Sequence, residues 1–143
     1  MLLLTRLWRW CGCDGGVPTA TPSPQAILNE GTSCRSCMLS GANLQDISSD
    51  GLSLTNSIAN AAEFSGADLT GADLTAMDLA GAYLDSAIMA YARLDNSRVT
   101  ESLFIDALLT GAIAPGACGV DSAEGFDIGM MIGGAPGFRA PGM

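Results

Sequence analysis

The side chains here best suited to chemistry are five cysteines and a run of evenly spaced acids. Cys34-Arg35-Ser36-Cys37 is a C-x-x-C pair, and with Cys11 and Cys13 it could present four thiolates to zinc. Against that alternative stand the C-x-C spacing of the first pair and the lack of a second C-x-x-C, so no metal is expected. The simpler reading makes Cys34 and Cys37 small buried residues, with a local disulfide as a further alternative. Glu63, Asp68, Asp73 and Asp78 fall five residues apart. Calcium binding or acid–base catalysis would need them to converge. The chain has neither histidine nor lysine, which removes the usual general base, the commonest zinc ligand and the phosphate-loop lysine. Gly129, Gly133, Gly134 and Gly137 do not spell a nucleotide-binding loop. With no nucleophile beside a credible base, neither enzymatic activity nor a cofactor is expected.

Whether the acids converge depends on the backbone that carries them, and that backbone is periodic. From Leu39 to Ala114, stepping by five, thirteen of sixteen residues are large and apolar. We call this position i. Two residues earlier, from Cys37 to Ala112, thirteen of sixteen are Ala, Ser or Cys. All twelve charged residues of 37–116 lie in the other three columns, an outcome with a chance probability of roughly 0.002. An α-helix would smear a five-residue period around its cylinder, and a straight strand would throw it to alternate faces. The chain must therefore bend once per repeat. Gly41, Gly51, Gly66, Gly71, Gly81, Gly111 and Gly116 all stand at i+2, where a turn benefits from the missing Cβ.

Ala42-Asn43-Leu44, Ala67-Asp68-Leu69 and Ala72-Asp73-Leu74 resemble the consensus of the pentapeptide repeat family, and the resemblance covers 80 of 143 residues. It implies an all-β solenoid, a right-handed quadrilateral parallel β-helix of about four coils: 37–56, 57–76, 77–96 and 97–116. The expected core is Leu39, Leu44, Leu54, Phe64, Leu69, Leu74, Leu79, Leu84, Met89, Leu94, Val99, Phe104 and Leu109, with i−2 packing beside i. Two departures are compensated in volume, Ser49 by Ile47 and Ala59 by Met77. In such a coil Glu63, Asp68, Asp73 and Asp78 sit on four different sides and form a solvated belt. The resemblance also permits acidic DNA mimicry directed at a topoisomerase such as gyrase. Four coils span only ~19 Å, about six base pairs.

Outside the repeats, 1–22 reads as a flexible leader, and the apolar start with Arg6, Trp8 and Arg9 has no cleavage site of a signal peptide. Residues 23–36 read as an N-terminal cap, a short helix over Gln25–Glu30 begun by Ser23-Pro24 and ended by Gly31. Residues 117–143 read as an irregular, glycine-rich tail. No stretch approaches the ~20 apolar residues of a membrane helix. An odd cysteine count favours a reducing, cytoplasmic compartment, and Cys118 is expected to be a free thiol. A net charge of −9 disfavours direct binding to nucleic acid. Apolar residues nevertheless occupy outward columns: Ile58, Tyr83, Ile88, Tyr91, Leu103, Ile105, Leu108 and Ile113. From these, Tyr83, Ile88, Tyr91, Leu103, Ile105 and Leu108 form the expected interaction surface. Its occupant is the chain's own tail, a second copy in a homodimer through the C-terminal end, or a foreign protein partner. The functional expectation is a structural or protein-interaction module.

Overall fold

The computed structural model describes residues 33–127, except Ser49. The leader, the helix expected over Gln25–Glu30, Cys11, Cys13, Ser49 and the tail from Ile128 onward lie outside the described residues.

The bend that the five-residue period demands is present at every repeat. All seventeen i+2 residues from Ser36 to Gly116 have positive φ, seven glycines at 65–72° and ten other residues at 54–60°. At most of these corners the N–H three residues past i donates to the carbonyl of i, as in Ala42 to Leu39 and Ala72 to Leu69. A β-turn whose third residue is left-handed has this form, and here it turns the chain by about a right angle, with two successive residues, i+1 and i+2, facing outward at the corner.

Four corners close one coil. Parallel bridges join residues twenty apart, giving four ladders. The first face carries Met38, Ile58, Asp78, Arg98 and Cys118. The second carries Asn43, Glu63, Tyr83, Leu103 and Glu124. Ser48, Asp68, Ile88 and Leu108 mark the third, and Ser53, Asp73, Arg93 and Ile113 the fourth. Between coils the N–H groups at i−1, i and i+2 each find a carbonyl in a neighbouring coil, as with Ile58 to Cys37, Leu39 to Ile58 and Gly41 to Asn60. Four of the five amides in a repeat are thus satisfied by backbone alone.

The inside of the square is filled by two kinds of column. The expected core residues from Leu39 to Leu109 are all buried, and Leu44, Phe64, Leu84 and Phe104 stack up the second face. Burial of each such side chain contributes roughly 1.5–3 kcal/mol. Ala59 is buried one coil below Met77, itself buried, so a small residue at i is filled by a large one at i−2. Buried serines at i−2 satisfy their hydroxyls on the preceding i carbonyl: Ser97 on Leu94 at 2.8 Å, Ser102 on Val99 at 2.6 Å.

The ladder begins before the repeats and runs on after them. Cys34 and Ser36 donate to Ser53 and Thr55, so the residues directly preceding 37 already form solenoid. At the other end Cys118 pairs with Arg98, a 3₁₀ turn at Val120–Ser122 inserts one residue, and Glu124 pairs with Leu103 twenty-one residues away. The segment expected to be irregular therefore starts a fifth coil. Phe126 then covers Phe104 edge-on, with ring centroids 4.8 Å apart. Among the described residues no helix is long and apolar enough to cross a membrane.

An L-residue at positive φ costs about 1–2 kcal/mol, while glycine's extra freedom in the unfolded chain returns part of any gain. Ala76, at φ 55° on an outward corner, isolates this trade. Ala76→Gly should stabilise the chain by about 0.5–1 kcal/mol in urea denaturation, and a loss of stability would contradict the left-handed corner.

Candidate functional surface

In a coil whose interior is closed, chemistry is confined to the i−1, i+1 and i+2 columns. The four evenly spaced acids occupy i−1, and the ladders put Asp78, Glu63, Asp68 and Asp73 on the first, second, third and fourth faces. They diverge, as a belt must, but three of them are more than solvated charge. The carboxylate Oδ1 of Asp68 accepts from the Thr70 N–H at 3.1 Å and from its hydroxyl at 2.6 Å. Asp73 does the same with Thr75, and Asp78 accepts from the Ala80 N–H at 3.1 Å. In each case the donor is the i+1 amide, the one the backbone leaves over. Asn43 serves Gln45 identically. The expected solvated belt is therefore corrected for three of its four members: Asp68, Asp73 and Asp78 complete the hydrogen bonding of their own repeats.

Hydrogen bonding of this kind stabilises the ionised form. The Thr75 hydroxyl holds the Asp73 carboxyl below its ordinary value of 3.8; partial burial opposes the shift, and the Thr75 amide, Arg93 and Arg35 reinforce it. Arg93 and Arg98 stand one coil above Asp73 and Asp78. Arg98 Nη1 lies 3.5 Å from Asp78 Oδ2, while Arg93 Nε turns to Asp95 at 3.1 Å. The Asn60 amide nitrogen donates to Asp78 Oδ1 at 2.8 Å. The first and fourth faces are thus locally neutralised in the upper coils.

Cys34 and Cys37 both point inward and are bonded to each other as a disulfide, their Cα atoms 5.8 Å apart. The reading of two unlinked core residues gives way to the disulfide alternative, and a four-thiolate site loses half its ligands to that bond. Their corner is also built differently. The Cys37 N–H donates to the Ser57 hydroxyl, which donates to the Cys34 carbonyl, so a side chain from the next coil is inserted into the turn. Cys118 is a free, exposed thiol. Among the described residues no group of three or more cysteines and acids is arranged to hold a metal ion.

The apolar outward residues gather on two adjacent faces. Tyr83 and Ile105 are exposed on the second face, Ile88 and Leu108 on the third, each at 40–43%. Tyr91 stands at the corner beyond the third face and, among the described residues, is the most exposed large apolar side chain, at 64%. A bulky aromatic at φ 60° is unusual. It is accommodated by glycine: a Cβ on Gly111 would stand 2.6 Å from Tyr91 Cδ1, so the ring lies over the glycine corner of the coil above. Leu103 departs from expectation, being part-buried between Tyr83 below and Glu124 above. Ile58 and Ile113 are part-buried as well. Met38, exposed at 58%, escaped the sequence reading although it is an apolar i−1 residue in the first repeat.

A family model described as pentapeptide repeats matches residues 37–75 and 62–100, in eight copies. The chain is similar to a pentapeptide repeat protein from Nostoc Pcc 7120, with a TM-score of 0.64 and 25% identity over 79% of this chain and 93% of that one. It is also similar to HetL, a pentapeptide repeat protein involved in heterocyst differentiation regulation from Nostoc sp. strain PCC 7120. There the TM-score is 0.52 at 26% identity, covering 66% of this chain and 47% of HetL. No curated protein matches the sequence.

A carboxylate with a lowered folded pKa stays ionised to more acid pH in the folded chain than in the unfolded one, which takes up its proton near the ordinary value of 3.8. Its stabilising contribution is full above that value and is lost as pH falls through the folded pKa. Asp73→Asn keeps an Oδ1 acceptor but no titration. Urea denaturation from neutral pH down to about pH 2 should show a shallower acid loss for the variant, and parallel curves would remove Asp73 from the acid transition.

Proposed function

The repeat segment belongs to the pentapeptide repeat family and forms a right-handed quadrilateral β-helix, and on that premise we propose that the chain is a non-enzymatic module that binds a protein partner. The carrying observation is the cluster of Tyr83, Ile88, Ile105 and Leu108 on the adjoining second and third faces, with Tyr91 at the next corner. Repeats ordinarily turn polar groups outward, and aromatic residues flanked by aliphatic ones are the composition of interface hot spots. Leu103 contributes from beneath as a part-buried support. Between the two faces, Ser86 and Asp106 are exposed at the shared corner and place polar groups within the cluster. A rigid rod loses little entropy on docking, because its side chains are already fixed by the coils below them.

The catalytic alternative has no geometry behind it: the acids point to four sides, and the disulfide engages Cys34 and Cys37. DNA mimicry draws on the net charge of −9. A mimic needs acids aligned along one face, and here Asp73 and Asp78 lie beneath Arg93 and Arg98 while the remaining acids are spread around the coil. A second copy on the same surface is a reading that sedimentation addresses directly.

Affinity capture with the immobilised chain, read by mass spectrometry, should return a partner whose binding weakens by about tenfold or more with Tyr83→Ala and with Leu108→Asp. Thr55→Ala on the fourth face should leave binding unchanged. Indifference of every captured protein to both surface substitutions would defeat the proposal. Inhibition of gyrase supercoiling by the chain at micromolar concentration would replace it with the DNA-mimic reading.

A further inference from the structure

The apolar cluster is small for the role of a dimer interface. A face is about three extended residues wide, ~10 Å, and two coils are ~10 Å tall, so two faces offer roughly 200 Å². A stable dimer buries about 800 Å² per partner, whereas a transient protein partner docks on less and draws on the polar surface around the cluster. A segment of the same chain needs no such area, because tethering removes most of the entropic cost of association.

The chain leaves the described structure beside this surface. Glu124 sits on the second-face ladder directly above Leu103, and Phe126 folds inward over Phe104. The third face adjoins the second at the next corner, and its outward residues are Leu108 and, one coil below, Ile88. Residues 128–143 follow, sixteen residues with a reach of ~50 Å when extended. They contain Ile128, Met130, Met131, Ile132 and Phe138, and their one charged residue is Arg139. The surface they would meet is apolar and bears acids: Asp106 is exposed at the corner between the two faces, and Asp85 lies on the second face between Tyr83 and the corner. Asp85 Oδ1 is buried with no hydrogen-bond partner among the described residues. Length, exit point, apolar content and charge all suit this segment to this surface.

We propose that residues 128–143 dock in cis on the surface formed by Tyr83, Ile88, Ile105 and Leu108, covering the partner-binding face until a partner displaces them. This regulation rests on the reading of that surface as a binding face, but its test needs no partner. In the full chain, trypsin cleavage after Arg139, followed as the mass loss of residues 140–143, reports whether the segment is docked. Leu108→Asp on the rod should accelerate that cleavage about tenfold or more, and Phe138→Asp on the segment should do the same without touching the rod. Circular dichroism and thermal melting of each variant check that the coils are intact. Cleavage at the unmodified rate in Phe138→Asp would overturn the proposal. So would a full-length chain that sediments as a dimer and becomes monomeric in Leu108→Asp, since a second copy would then occupy the surface. Docking shown by trypsin but no partner in affinity capture would sink the proposed function alone.

Discussion

Turning a strand through a corner every five residues requires one residue per repeat at positive φ, and the rest of the structure follows from meeting that demand seventeen times in succession. The left-handed residue fixes the direction of the next segment, so i and i−2 always face inward and the remaining three columns always face out. It also fixes the hydrogen-bond accounting. The amide after the corner closes the turn, and those at i−1, i and i+2 reach neighbouring coils. The amide at i+1 has no backbone acceptor. An Asp or Asn two residues earlier supplies one, and here Asn43, Asp68, Asp73 and Asp78 do so. Backbone polar groups seek partners wherever they are shielded from water, so an acidic i−1 column is a structural habit of this coil before it is an electrostatic one.

That habit stops abruptly. From Tyr83 onward the i−1 residues are Tyr83, Ile88, Arg93, Arg98, Leu103, Leu108 and Ile113, none of which can cap an amide as Asp or Asn does. Seven consecutive repeats forgo a local hydrogen bond worth about 0.5–1.5 kcal/mol where it is sheltered. The exchange gives the third and fourth coils two arginines over aspartates on two faces and an apolar strip on the other two. Tyr91 repeats the pattern at i+2, where a bulky ring occupies a conformation that glycine adopts in the coils on either side, Gly71 and Gly111. Local rules broken in one region and kept elsewhere mark surfaces shaped by something other than folding. In the lower coils the apolar exceptions at i−1, Met38 and Ile58, are isolated among polar residues.

The sequence made the architecture legible because each inward column repeats without interruption: Leu44, Phe64, Leu84 and Phe104 could be stacked on paper before any coordinates. Volume compensation between Ala59 and Met77 was legible for the same reason, since both lie on one face. The role of Asp68 and Asp73 was hidden because a carboxylate at a charged column looks solvated, and its acceptor role depends on the direction of an amide that no side-chain pattern reveals. Leu103 looked exposed because the period ends at Gly116. Only the inserted residue at Val120–Ser122 brings Glu124 back into register above it. For Cys34 and Cys37 the spacing allowed buried thiols, a disulfide or zinc ligands, and the disulfide depends on side-chain placement within a single corner.

The two ends of the rod meet one problem with different chemistry. A solenoid presents unpaired strand edges at its first and last coils, and flat edges invite end-to-end association. At the first corner no described coil lies beneath, and a covalent bond between Cys34 and Cys37 holds a turn whose own hydrogen bond has been opened to admit the Ser57 hydroxyl. The clip therefore fixes the corner while the hydroxyl fastens it to the second coil. At the upper end the chain lies directly on the last coil, and glycine makes the approach feasible: a Cβ on Gly119 would fall 2.6 Å from Thr100 Cα, and one on Gly125 2.8 Å from the Phe104 carbonyl carbon. Those contacts are close enough to carry the ladder one step further on two faces and to place Phe126 over the last inward phenylalanine. Sealing by contact, unlike sealing by a covalent bond, leaves an end that residues downstream can extend or expose, and that is the end where the outward columns turn apolar.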